Sequence, residues 1–154
     1  MYENGDGVMK DDDMALDLYT RGSNAGNPAS LYSLGMRYYI GNGVKRDERL
    51  AFRMFVASAE GGNIDAKCNL GYMYYYGTGV ERDHFVAARL FAEAAKAWNP
   101  KAIYFLGIMY LEGDGVSADF HKGIGLLKLS DELGCSDASI ALEQMGLASP
   151  KRDV

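Results

Sequence analysis

The sequence predicts an all-α solenoid of antiparallel helix hairpins, and three observations predict it. A five-residue block recurs four times at a spacing of 36 residues: NGDGV ending at Val8, IGNGV at Val44, YGTGV at Val80 and EGDGV at Val116. Large or small apolar residues between the blocks recur every four positions, the spacing of one helical stripe. Glycines and capping residues fall between those stripes, where helices must stop and start. A lone Gly-x-Gly beside a helix is compatible with a phosphate-binding loop. Such a loop is normally a single site, so a fourfold array reads as architecture, and YYYGTGV is a repeat element.

The register extends beyond the glycines. Tyr2, Tyr38, Tyr74 and Tyr110 align, as do Asp11, Asp47, Asp83 and Asp119. Leu34-Gly35, Leu70-Gly71 and Leu106-Gly107 align, and Leu142 falls in the next copy with Glu143 in the glycine's place. Tyr19, Phe55, Phe91 and Leu127 occupy one further position.

The elements follow in order. Residues 1–28 are a partial copy, in which Tyr2 takes the late first-helix position. The second helix, around Ala15, Leu18 and Tyr19, then lacks its hairpin mate, an edge to be covered by a longer array or by another surface. Asp11, Asp12 and Asp13 read as the acidic start of that helix. In residues 29–64, Ser30, Leu34 and Tyr38 make one stripe. Gly35 beside it costs about 1 kcal/mol relative to alanine, which implies close approach of a second helix. Gly41 and Gly43 end the first helix, Val44 anchors the loop inward, and Asp47 caps the second helix. Ala51, Phe55 and Ala59 form its stripe, and Gly61-Gly62 stop it. Asn63 or Asp65 caps the next helix, and Asn27-Pro28 and Asn99-Pro100 place proline at the first helical position. Residues 65–100 and 101–136 repeat the pattern, except that Trp98 replaces the glycine found at Gly26, Gly62 and Gly134, so a different turn is expected there. DASIALEQMGLA, residues 137–148, is a capping helix, and SPKRDV, residues 149–154, a solvated tail.

Composition narrows the function classes. The chain has 154 residues, 48% hydrophobic and 24% charged, with a net charge of -5. That balance is globular and works against nucleic-acid binding, which needs clustered Lys and Arg. No apolar stretch approaches the roughly 18 residues that suggest a membrane span, and MYENGDGV lacks the basic start and apolar segment of a signal peptide. Cys68 and Cys135 lack metal-ligand spacing and are expected reduced and unpaired, which favours the cytoplasm.

Leu-Gly-x-x-Tyr followed by Gly-x-Gly-Val, then Asp, Ala and an aromatic residue, as in LGYMYYYGTGV and LGIMYLEGDGV, resembles the Sel-1-like repeat, a branch of the tetratricopeptide-like solenoids. The resemblance covers residues 2–148. It implies a right-handed superhelix of paired helices serving as a scaffold or adaptor in protein complexes, as in bacterial proteins, ubiquitin-ligase adaptors and regulators of cell-wall synthesis. A bacterial subfamily carries a disulfide in each repeat, and Cys68 and Cys135 do not reproduce that spacing.

The same resemblance places the inner, concave surface on Tyr32, Met36, Tyr39 and Ile40, then on Cys68, Tyr72, Tyr75 and Tyr76, and then on Tyr104, Ile108, Leu111 and Glu112. By helical geometry these lie opposite Leu34 and Tyr38. Within YYYGTGV, Tyr74 is then expected in the core and Tyr75 and Tyr76 in the groove. Tyrosine is frequent among residues that dominate binding energy, so a protein or peptide partner segment in this groove is the expected function. Filling the contact between neighbouring helices is the competing reading of each tyrosine. Self-association through the groove or the N-terminal edge is a further use. A small-molecule or cell-wall-fragment binder with weak hydrolase activity is the alternative, and a structural spacer the third.

Catalysis finds little support. His84 and His121 sit at unrelated repeat positions and read as solvated first-turn residues. No nucleophile–base set assembles, and EGDGVSAD lacks the alternating oxygen ligands and terminal glutamate of a calcium loop. No enzyme activity, metal or cofactor is expected.

Overall fold

The computed structural model describes residues 6–148, with the side chains of residues 6–13 and 15 outside that description. The expectations for Tyr2, the tail 149–154 and the Asp11–Asp13 and Ala15 side chains lie outside the described residues. Among those described there are eight helices and no strand: α1 (Asp6–Asn24), α2 (Pro28–Ile40), α3 (Glu48–Glu60), α4 (Ile64–Tyr76), α5 (His84–Lys96), α6 (Pro100–Glu112), α7 (Phe120–Glu132) and α8 (Ser136–Gln144). The all-α helix-hairpin repeat is the observed fold.

The punctuation works as local chemistry requires. Gly41 ends α2 at φ 81°, a left-handed angle that a side chain disfavours, and Gly77 and Gly113 end α4 and α6 in the same way. Asp47, Asp83 and Asp119 then accept the backbone N–H three residues on, at 2.9–3.0 Å, satisfying an otherwise orphaned donor. Asn27, Asn63 and Asn99 do the same for α2, α4 and α6. The last helix, α8, has Cys135 at its N-cap position and no side-chain cap.

The first copy departs from expectation. α1 begins at Asp6 and runs through Gly7, Val8 and Asp11, so Asp11–Asp13 lie inside the helix rather than at its start. In other copies the turn carries a longer tie, the Asp47 N–H donating to the Tyr38 carbonyl and Asp119 to Tyr110, at 2.9 and 2.8 Å. Glycine permits the left-handed angle without demanding it, and the block alone does not impose the turn.

The chain divides into two compact units between Arg82 and Asp83. In the first, α1, α2, α3 and α4 pack in chain order; in the second, α5, α6, α7 and α8 do the same. Leu34, Ala51, Phe55, Leu70 and Met73 are buried in the first. The second buries Phe91, Ile103, Phe105, Leu106, Met109, Leu127 and Leu142, with Phe91 and Phe105 stacked at 4.9 Å and 8°. The helix-interior glycines have the steric reason expected of them. A Cβ on Gly35 would stand 2.9 Å from the Phe55 ring, and one on Gly107 would stand 3.2 Å from the Gly123 carbonyl of α7.

Candidate binding face of the first helices

Among the candidate residues, α2 carries Tyr32, Met36, Tyr39 and Ile40 and α4 carries Tyr72, Tyr75 and Tyr76, and hydrogen bonds tie several of them across the two helices. The Asn69 amide of α4 donates to Met36 Sδ of α2 at 3.2 Å and also hydrogen-bonds the Tyr32 hydroxyl. The hydroxyls of Tyr39 and Tyr72 are hydrogen-bonded to each other. Tyr76 stacks obliquely on Tyr72 at 4.5 Å and edge-on against Tyr75 at 4.9 Å. Burial pushes the Tyr32 hydroxyl above its ordinary value, helped by the Asp65 carboxylate. Burial raises Tyr39 too, with the Tyr72 contact adding to it.

Exposure separates these residues into two sets. Tyr32, Met36, Tyr39, Tyr72 and Tyr75 are half-buried, and the Tyr32 and Tyr39 rings lie 5.8 and 6.3 Å from the core ring of Phe55. Ile40 and Tyr76 are 62% and 54% exposed at the C-terminal ends of α2 and α4. Cys68 is buried. Tyr104, Ile108 and Leu111 sit half-buried on α6 in the second unit. Tyr104 is edge-on to Phe105, and Leu111 packs onto α7, where a Cβ on Gly123 would meet it at 2.6 Å. Glu112 is exposed.

Three expectations need correction. Tyr74 is half-buried, not core: it meets Phe52 of α3 edge-on at 5.5 Å. His84 is not a freely solvated residue, because Nδ1 lies 3.5 Å from Asp114 Oδ1 and the side chain is only 26% exposed. The α6–α7 loop comes back to the start of α5 and covers it; a Cβ on Gly115 would fall 2.2 Å from the His84 carbonyl oxygen. His121 is exposed as expected. The turn at Trp98 is the third. Trp98 adopts φ 61° and donates its N–H to Ala95 while Asn99 donates to Ala94. This is the bonding of Gly62 to Ala59 and Asn63 to Ser58, so the tryptophan accepts the glycine's geometry. A left-handed non-glycine residue costs about 1–2 kcal/mol.

Asn69 went unnoticed in the sequence, although a polar residue in IDAKCNLGYMYYY, where the matching residues are Ser33 and Phe105, was a usable signal. Ser58 and Ser130 were missed too. Each is fully buried and donates to a carbonyl, Pro28 at 2.6 Å and Pro100 at 2.7 Å. Serine occurs at this position only in the copies whose first helix starts with proline.

A cleft of about 700 Å³ lies in the first unit between Arg46–Arg49 and the loop Gly77–Glu81. Its walls carry both signs of charge; Arg46 pairs with Glu48 and Asp47 is committed as a helix cap. Among the described residues no three His, Cys, Asp or Glu side chains converge as metal ligands, and Cys68 and Cys135 are unbridged. No helix among them is long and apolar enough to cross a membrane.

A repeated helix hairpin with an aromatic face on its first helices defines a helical-repeat protein. The Sel1 repeat family model matches residues 1–27, 28–63, 64–97 and 100–135, and the chain belongs to the Sel1 repeat family. Proteins of this family are in general protein–protein interaction scaffolds. The chain is similar to a Sel1 repeat protein from Oxalobacter formigenes, with 29% identity, TM-score 0.73, 84% of this chain and 97% of that one covered. It is also similar to a protective antigen present in uropathogenic Escherichia coli strains displaying an SLR fold, at 31% identity and TM-score 0.75, covering 89% of this chain and 30% of that chain. Helicobacter pylori cysteine rich protein B, at 20% identity and TM-score 0.65 over 90% of this chain and 100% of that chain, shares the fold. No curated protein matches the chain.

Proposed function

We propose that the chain is a protein-interaction module that takes a partner segment on the first-helix face bearing Tyr32, Met36, Tyr39, Ile40, Tyr72, Tyr75 and Tyr76, with Tyr104, Ile108 and Leu111 as its counterpart on α6. The observation that supports this is the exposure of Ile40 and Tyr76 beside a hydrogen-bonded set of tyrosines. A large aromatic side chain half out of water offers binding area at low entropic cost. Tyr32 and Tyr39 serve the core through Phe55 as well, so the partner is met chiefly by Ile40, Tyr75 and Tyr76. The adaptor role and a cytoplasmic setting belong to the same reading, the second supported by two buried free thiols.

The test is capture of partner proteins by wild type and by Ile40→Ser/Tyr76→Ser, after circular dichroism shows equal helicity. Loss of a captured protein from the variant supports the face, whereas equal capture removes it. The cleft beside Arg46 and Arg49 favours a second reading, a small-molecule or cell-wall-fragment binder. Calorimetric titration with peptidoglycan fragments and β-lactams decides that case: saturable heat lost on Arg49→Ala supports it.

A further inference from the structure

The copies of the repeat are internal controls for one another, and the turn between α5 and α6 breaks their pattern at three places together. The turn after α3 carries Glu60, Gly62 and Asp65, the turn after α7 carries Glu132, Gly134 and Asp137, and the turn after α1 keeps the glycine, Gly26, between neutral Asn24 and Ala29. The α5–α6 turn carries Lys96, Trp98 and Lys101 at those positions. All of these residues are exposed, so packing does not account for the change. Local stability does not account for it either. Trp98 takes a left-handed angle that its glycine sisters adopt freely, and Lys101 brings a positive charge to the first turn of α6, where Asp65 and Asp137 suit the helix dipole. Only Lys96, in the last turn of α5, is favourably placed. A strained, 64% exposed tryptophan between two lysines, in a chain of net charge -5, has the makings of a binding anchor.

We propose that the α5–α6 turn is a docking site for an acidic partner segment bearing a large apolar side chain, with Trp98 as the apolar anchor and Lys96 and Lys101 meeting its carboxylates. The proposal does not rest on the tyrosine face. Reversing the sign of both flanking residues relative to the turns after α3 and α7 selects an acidic partner and repels a basic one.

Trp98 is the only tryptophan, so its fluorescence reports on this turn alone. The probe is a short capped peptide of glutamates around one leucine, with the lysine version as control. A saturable blue shift with the glutamate peptide is expected, weakening with salt and absent with the lysine peptide. Lys96→Glu/Lys101→Asp installs the residues of the turns after α3 and α7, so it folds, and it is expected to weaken binding about tenfold or more. Trp98→Gly, followed by anisotropy of labelled peptide, is expected to lose binding while its melting temperature rises. The proposal is overturned by no shift with the glutamate peptide, by an equal shift with the lysine peptide, or by unchanged affinity in the charge-reversed variant. A lower melting temperature for Trp98→Gly removes the strain on which it rests. A shift produced only by phosphatidylserine vesicles, or by raising protein concentration without peptide, replaces the acidic segment with a membrane surface or a second copy.

Discussion

Trp98 shows how a single residue can work against its own fold. Its backbone angle belongs to glycine, so Trp98→Gly should stabilise the protein by about 1 kcal/mol, a rise of ~3 °C in the melting temperature for a chain of this size. A thermal melt followed by circular dichroism checks this. Tyr39 makes the opposite case, a residue that the fold holds in one protonation state. Its hydroxyl is shifted upward by burial and by Tyr72, so the folded state keeps the proton that the unfolded chain releases. The stability tied to it is complete below about pH 10, the ordinary tyrosine value, and is lost as pH rises toward the folded value. Tyr39→Phe should therefore show a flatter fall in urea midpoint above pH 10 than wild type, and an identical slope in the two proteins would contradict the assignment.

At the scale of the element, the helix ends were legible because caps and left-handed glycines act through neighbours three or four residues away. Asp47, Asp83, Asp119 and the C-capping glycines needed nothing else. What escaped was set by distant partners. The second glycine of the later two loops is required by a backbone 31 residues earlier: Gly79 lies against the Glu48 carbonyl and Gly115 against that of His84. Asn69 and Ser58 find their partners across helices in the same way. The tyrosines of the candidate face were found by sequence, yet their division into half-buried and exposed was not, since it depends on where Phe55 and Phe52 lie. Gly115→Ala should cost about 3 kcal/mol, combining angle and overlap. Gly134→Ala, at φ 90° with open space around it, should cost only the angle, about 1 kcal/mol. Chemical denaturation of the pair isolates the contact. Ser58→Ala should lose about 1 kcal/mol for its bond to Pro28, by the same measurement.

For the whole molecule, stability in a repeat array is a sum of copy and neighbour contributions, and the two units differ in what they bury. The second holds the stacked Phe91 and Phe105 with Ile103, Met109 and Leu127, whereas the described core of the first centres on Phe55, Leu70 and Met73. Unfolding in urea should then be non-coincident, with Trp98 fluorescence, which reports the second unit, changing at higher denaturant than far-ultraviolet circular dichroism. A single shared midpoint would show that the units unfold as one. The placement of Gly79 on Glu48 and of Gly115 on His84 carries an evolutionary consequence. These two loops are each measured against the copy before, so a gene of this kind tolerates gain or loss of sequence between those contacts only in whole periods. Duplication and deletion would move in quanta of one copy, spliced at the asparagine caps, while a frame-preserving insertion of one residue between contact partners would put the wrong atom on the carbonyl and be removed by selection.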